Sequence, residues 1–117
     1  MAPIRKTALD CRFYRTAMGK EPVREWLKAL PKEIRLEIGS DIQQVQRRWP
    51  VGKPLVDGFG KGLFEVRTSL DGNIYRVLFC IQGSTLVLLH AFRKKSQKTP
   101  KSELNLALQR MRDVEET

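Results

Sequence analysis

The sequence predicts an α+β fold: an N-terminal strand and a two-helix hairpin packed on an antiparallel β-sheet, followed by a C-terminal helix. Three observations predict it. Apolar residues between positions 23 and 49 recur at helical spacing. Those between 63 and 92 alternate, or run as β-rich stretches broken at turn dipeptides. From 104 to 111 the helical spacing returns. At 117 residues and 41% hydrophobic content, the chain is expected to form one domain over residues 1–117 with a core that needs no disulfide or metal.

Each element has its own signal. Residues 1–7 read as a frayed leader. Residues 9–15 alternate Leu9, Cys11 and Phe13 against Asp10, Arg12 and Tyr14, which predicts a first strand with a possible place at the sheet edge. Gly19 breaks that pattern, and Pro22 suits the first position of a helix. Val23, Trp26, Leu27 and Leu30 then share one helical face. Pro31 opens a second helix, in which Ile34, Ile38, Ile42, Val45 and Trp49 form the stripe, and Pro50 and Gly52 end it. Both tryptophans lie on apolar stripes and are expected in the core.

Residues 52–62 hold four glycines and one proline and read as a loop. No Gly-Lys there is followed by Ser or Thr, which excludes a nucleotide-binding P-loop. Residues 63–70 alternate as a strand. Asp71-Gly72-Asn73 is a strong hairpin turn, and residues 74–82 and 84–92 complete an antiparallel meander joined at Gly83-Ser84. In the final helix Leu104, Ala107, Leu108 and Met111 share a face.

The formal net charge is +9, and residues 61–101 contribute eight basic against two acidic side chains. Such a field draws polyanions: nucleic acid, a membrane surface or an acidic protein. Cys11, Cys80 and His90 lie too far apart for a zinc signature, and Cys80 sits in an apolar run as a small core residue. No metal and no cofactor are expected. The first ten residues lack the apolar stretch of a signal peptide, and no apolar run approaches the ~20 residues of a membrane span. A cytoplasmic protein without membrane partners is expected.

The first hairpin concentrates the chemistry. A two-residue loop at Asp71-Gly72 places Arg67 opposite Arg76 and Glu65 opposite Leu78, all on one face. A loop at Gly72-Asn73 makes the arginines diagonal neighbours on that face, and a three-residue loop separates them. Facing like charges destabilise a sheet unless an anion or carboxylate lies between them. Glu65, two residues from Arg67, projects to the same side. The other face, with Phe64, Val66, Tyr75, Val77, Phe79 and Ile81, should meet the helices. The arginine face should then be open to water over a shallow apolar floor of Leu78 and Cys80, and two guanidinium forks there suit a phosphodiester. Residues 92–101 carry five basic and no acidic side chains and would extend this face into a basic stripe, with Lys61 and Lys53 approaching from the glycine loop.

This set of groups can bind RNA and can cleave it without metal. The ribose 2′-hydroxyl attacks the adjacent phosphate and leaves a 2′,3′-cyclic phosphate. Glu65 can act as base, Arg67 and Arg76 can stabilise the phosphorane, and Lys94 or Lys95 can act as acid. His90 is the usual acid/base residue type, although its apolar strand favours a hydrogen-bonded, half-buried histidine.

The motifs LFEVR, YRVLF, LVLLHAF and RKKSQKTP, followed by a helix, resemble the HigB-like, phage-related toxins of the RelE/ParE toxin–antitoxin superfamily. The specific elements are F-x-K-K-x-x-K-T-P at residues 92–100 and the pairing of Glu65 and Arg67 with Tyr75 and Arg76. The likeness covers roughly residues 11–112. It implies the RelE/ParE-like fold, a type II toxin and an endoribonuclease cutting mRNA on the ribosome. It also implies a cognate helix-turn-helix antitoxin, HigA-like. Carried over by motif, the basic sheet residues are Arg67 and Arg76, the strand carboxylate is Glu65, and the loop cations are Arg93, Lys94, Lys95 and Lys98. Lys101 closes the basic segment. Relatives that use a C-terminal tyrosine or histidine differ from this chain, which has neither after His90. Two rivals share the basic character: a ParE-like inhibitor of DNA gyrase, and a non-enzymatic nucleic-acid-binding module. The Glu65 carboxylate favours the nuclease over the first. The lack of stacking aromatics on the arginine face counts against the second.

Overall fold

A computed structural model describes residues 8–94 and 98–116; the expected leader over residues 1–7 and Lys95 lie outside these. The elements run β1 (Asp10–Phe13), α1 (Pro22–Lys28), α2 (Lys32–Arg48), β2 (Val56–Gly58), β3 (Phe64–Leu70), β4 (Asn73–Gln82), β5 (Thr85–Lys94) and α3 (Lys101–Glu116). They build one five-stranded sheet in the order β1-β5-β4-β3-β2, antiparallel except for β1, which pairs parallel with β5. The predicted α+β class and element order hold. β1 is shorter than residues 9–15, β5 runs two residues beyond 92, and the glycine loop contains β2.

Local chemistry explains these elements. Pro22 stands at the start of α1 and Pro31 at the cap of α2, where their missing N–H groups are no loss. The β3–β4 turn is the two-residue Asp71-Gly72 loop: Leu70 pairs with Asn73, and both turn residues have positive φ, 52° and 77°. That is the turn whose twist matches a hairpin, and glycine holds its second position without a Cβ clash. The register that follows sets Arg67 opposite Arg76 and Glu65 opposite Leu78, as the Asp71-Gly72 loop requires.

The sheet carries a core on each side. On one face α1 lies over β5 and α2 over β3. There Val23, Ile38, Ile42 and Val45 meet Val66, Tyr75, Val77, Phe79 and Leu88, with Trp26 and Trp49 packed at the margin. Trp49 meets Phe64 edge-on with ring centroids 4.9 Å apart, a favoured aromatic geometry. On the other face α3 lies over β4 and β5, and Ala107, Met111 and Val114 bury Leu78, Cys80, Val87 and Leu89. The expectation of an arginine face open to water over an apolar floor is therefore corrected. That floor is the seat of α3, because an apolar surface of this extent is stable only when covered. Cys80 is buried as expected, and both cysteines are free thiols.

A bulge shapes this second face. Leu78 pairs with His90 but Phe79 pairs with Leu88, so Leu89 is an extra residue in β5. The irregularity turns both Leu89 and His90 toward α3, where strict alternation would have separated them. Among the described residues, no helix is long and apolar enough to cross a membrane.

Candidate functional site

Glu65, Arg67 and Arg76 share one face of the β3–β4 ladder, and a polar network ties them together. Glu65 Oε1 accepts from Arg67 Nε at 2.7 Å, and Glu65 Oε2 accepts from the Thr99 hydroxyl at 2.6 Å. Thr99 Oγ1 in turn accepts from Arg76 Nη1 at 2.9 Å. Arg67 Nη2 reaches Asp57 Oδ2 at 3.2 Å, so the network runs from Asp57 on β2 to Arg76 on β4. The carboxylate between two arginines, required by their facing positions, is present. The Glu65 contacts have charge-assisted lengths.

Exposure divides the network. Glu65 and Arg76 are 0% exposed and Thr99 6%, whereas the Arg67 side chain is 23% exposed. Thr99 lies just before α3, and its segment closes the site from above. This is the second correction: two of the three groups that should face solvent are sealed in the unbound chain. The physical reason is neutralisation. With Glu65 among them and hydroxyl and carboxylate oxygens accepting their N–H groups, the guanidiniums can be taken out of water. Burial pulls Arg76 below the ordinary arginine range, the charge of Glu65 raises it again, and Arg67 adds to the fall. The group stays cationic. Its guanidinium carbon also stands 5.9 Å from the centroid of Phe92, the residue paired opposite it.

Along the same face, one row toward the turn, lie Ser69, Ile74 and Lys94. α3 lies over β4 and β5, and here a cleft of about 340 Å³ is walled by Arg67, Ser69, Ile74, Pro54 and Leu55. Arg67 is thus the network's accessible cation, and exposed Lys94 sits in the adjoining row. Arg93 pairs with Tyr75, so it belongs to the α1–α2 face, and the continuous basic stripe expected over residues 93–101 is broken there. Both Arg93 and Lys94 lie in β5; the expected loop begins only after them. Lys98 and Lys101 are exposed on either side of Thr99 and Pro100. Lys61 is exposed beside Leu108, Met111 and Arg112 in the later turns of α3, so the structure does not bring it to the network as expected. Lys53, 75% exposed, stands 3.7 Å from Asp57.

His90 is half-buried and hydrogen-bonded. Its Nε2 meets Glu103 of α3 at 2.9 Å, its Nδ1 lies 3.4 Å from Arg110 Nη1, and its ring stacks on Phe92. Arg110 donates to Leu89 O at 2.9 Å, and the Tyr14 hydroxyl donates to Asp113 at 2.7 Å. These groups pin α3 to the sheet, and His90 belongs to the pin.

Sequence reasoning missed Asp57 and Thr99. Asp57 lies in a glycine-rich stretch with no strand alternation to orient it. Thr99 stood in view within the Lys-Thr-Pro sequence, but a threonine in a lysine-rich segment carries no sign of a buried role. Among the described residues there is no group of three or more His, Cys, Asp or Glu able to hold a metal ion.

Compared with known families, residues 25–112 match the family described as phage derived protein Gp49-like (DUF891). Among curated proteins, none matches the chain.

Proposed function

The chain belongs to the phage-derived Gp49-like family, and from that premise we propose that it is a HigB-like type II toxin, a metal-independent endoribonuclease that cleaves mRNA on the ribosome. Its partner is a helix-turn-helix antitoxin of the HigA kind, and its place of action is the cytoplasm. The observation that carries the reading is the Glu65 carboxylate held between Arg67 and the Thr99–Arg76 pair.

In this reading Glu65 takes the proton of the ribose 2′-hydroxyl, and that oxygen attacks the neighbouring phosphorus. Arg67 and Arg76 balance the charge of the phosphorane. The bond to the 5′-oxygen breaks, and Lys94, on the same face, protonates that oxygen as it leaves. The products are a 2′,3′-cyclic phosphate and a 5′-hydroxyl. The resemblance to HigB-like toxins and the family match point the same way.

The test is incubation of the purified chain with an RNA oligonucleotide, alone and on programmed ribosomes, with mass analysis of the ends. A cut bearing a 2′,3′-cyclic phosphate is expected. It should be absent when the attacking ribose is 2′-deoxy, and strongly slowed in Lys94→Gln, whose exposed position leaves folding intact. Uncut RNA in both settings refutes the reading, and growth arrest with intact mRNA and stalled gyrase replaces it with the ParE-like one. The full burial of Glu65 and Arg76 favours a second reading, in which the network is a strut inside a non-enzymatic nucleic-acid-binding module. Salt-sensitive RNA binding without cleavage would establish it.

A further inference from the structure

We infer that Thr99 closes the site by standing in for the substrate, its hydroxyl filling the place of the ribose 2′-hydroxyl between Glu65 and Arg76. This rests on the nuclease reading above and adds a closed state with a defined way of opening. The Thr99 hydroxyl makes the contact to Glu65 that an attacking 2′-hydroxyl needs in that site, and it also covers Arg76. It gives its hydrogen to Glu65 Oε2 at 2.6 Å and accepts from Arg76 Nη1 at 2.9 Å. While it does so, that carboxylate oxygen and that guanidinium N–H are occupied. Thr99 is itself only 6% exposed, so it covers both groups from solvent. Substrate enters only when Thr99 leaves.

The closing segment is coupled to α3. Pro100 follows Thr99, and its carbonyl accepts from the backbone N–H groups of Glu103 and Leu104 at 3.1 and 3.2 Å. Glu103 is in turn held to the sheet by His90 at 2.9 Å. Thr99 therefore lifts when the first turn of α3 shifts, while Arg67 stays accessible in either state. A sugar lacking the 2′-hydroxyl can neither replace the threonine's two hydrogen bonds nor react, so the same contact discriminates RNA from DNA.

The test compares wild type, Thr99→Ser, Thr99→Val and Thr99→Ala in two measurements. The first is phenylglyoxal modification of arginine, read by peptide mass spectrometry, with Arg67 as internal reference. The second is cleavage of an RNA oligonucleotide. Thr99→Val keeps the volume and loses the hydroxyl, so it covers the case in which Thr99→Ala does not fold. Removing two charge-assisted hydrogen bonds should shift the closed–open balance about tenfold or more. Arg76 modification relative to Arg67 and RNA cleavage should both rise by that factor in Thr99→Val and Thr99→Ala, while Thr99→Ser follows wild type. Cleavage that persists in wild type but falls, or stays level, in Thr99→Val overturns the inference and leaves the nuclease reading standing, with Thr99 as a positioning residue. Faster Arg76 modification with no cleavage by any variant overturns both the nuclease reading and the role given to the hydroxyl.

Discussion

Replacing Glu65 with glutamine tests the network at its centre. The carboxylate accepts from Arg67 and Thr99 and offsets the charge of Arg76, and neither Glu65 nor Arg76 touches water. Glutamine is nearly isosteric, so packing survives and the change is electrostatic. Removing one partner of a buried charge pair costs about 3–5 kcal/mol, because the other is left uncompensated. The lower end applies here: Arg67 is 23% exposed and keeps Asp57 at 3.2 Å, so only Arg76 loses its counter-charge in a dry setting. A loss of about 3 kcal/mol is expected. With an unfolding entropy of about 2.1 cal/mol/K per residue, this lowers Tm by about 12 °C. Urea unfolding at neutral pH measures the free energy, and the same titration on Arg76→Met and the double variant gives the coupling. The double variant should be more stable than the sum of the two losses predicts, by about 1.5 kcal/mol or more. A Glu65→Gln variant within about 0.5 kcal/mol of wild type, a range typical of surface substitutions, would refute the reasoning. It would mean that water reaches the network in solution and that Thr99 does not seal it.

Two further predictions concern the frame around the site. The Tyr14 hydroxyl donates to Asp113, and that bond, burial and the charge of Asp113 raise the phenol above its ordinary 10.0, against a smaller opposing effect of Arg110. The contribution is whole below pH 10, where native and unfolded phenols both hold their proton, and is lost as pH climbs from there through the raised native value. Tyr14→Phe should lose about 1 kcal/mol at pH 8 and flatten the decline in stability above pH 10, both read from urea midpoints across that range. Gly72 has φ +77° at the second turn position, so Gly72→Ala should destabilise by about 1 kcal/mol or more, whereas Asp71→Asn, at φ 52°, should be neutral or slightly stabilising; thermal melts decide both.

The part of the site that was legible in the sequence is the part that local chemistry controls. Asp71-Gly72-Asn73 marks a tight turn, and either two-residue loop within it keeps Arg67 and Arg76 on one face, so their shared face could be read from the chain; which loop forms, and hence their direct opposition, came from the structure. Pro22 and Pro31 likewise mark where α1 and α2 begin. What escaped depends on contacts between distant segments. The stripe of Leu104, Ala107, Leu108 and Met111 shows that α3 must cover something, but its own pattern does not name the surface. The decisive sign lay elsewhere: Leu78, Cys80, Val87 and Leu89 make the second face as apolar at its centre as the first. Such a sheet needs covering on both sides. The parallel pairing of β1 with β5 is equally non-local, since everything from Tyr14 to Ser84 lies between the two strands. The bulge at Leu89 leaves no mark in a run of leucine and valine, and β2 is too short to show alternation.

The setting of the buried network bears on whether it is a strut or a site. Leu78 lies two residues from Arg76 on the same face, and Cys80 two beyond it, both under α3. These neighbours show that this side of β4 accepts an apolar side chain wherever α3 or its approach can cover it. An apolar residue at position 76 with another at 65, its diagonal neighbour on that face, would satisfy the same geometry without desolvating two charges, and such exchanges are commonly neutral or stabilising by about 1–4 kcal/mol. Charge at these positions is therefore not what the fold requires. Asp57, Glu65, Arg67, Thr99 and Arg76 instead form a chain of hydrogen bonds ending at a cleft beside a half-exposed guanidinium. A local departure from the most stable filling of a core is the expected signature of a working site. The burial of Glu65 and Arg76 and the chemistry proposed for them are then compatible: the groups proposed to act on a phosphodiester are held neutralised by one another, and in that proposal the Thr99 hydroxyl stands between them and a substrate.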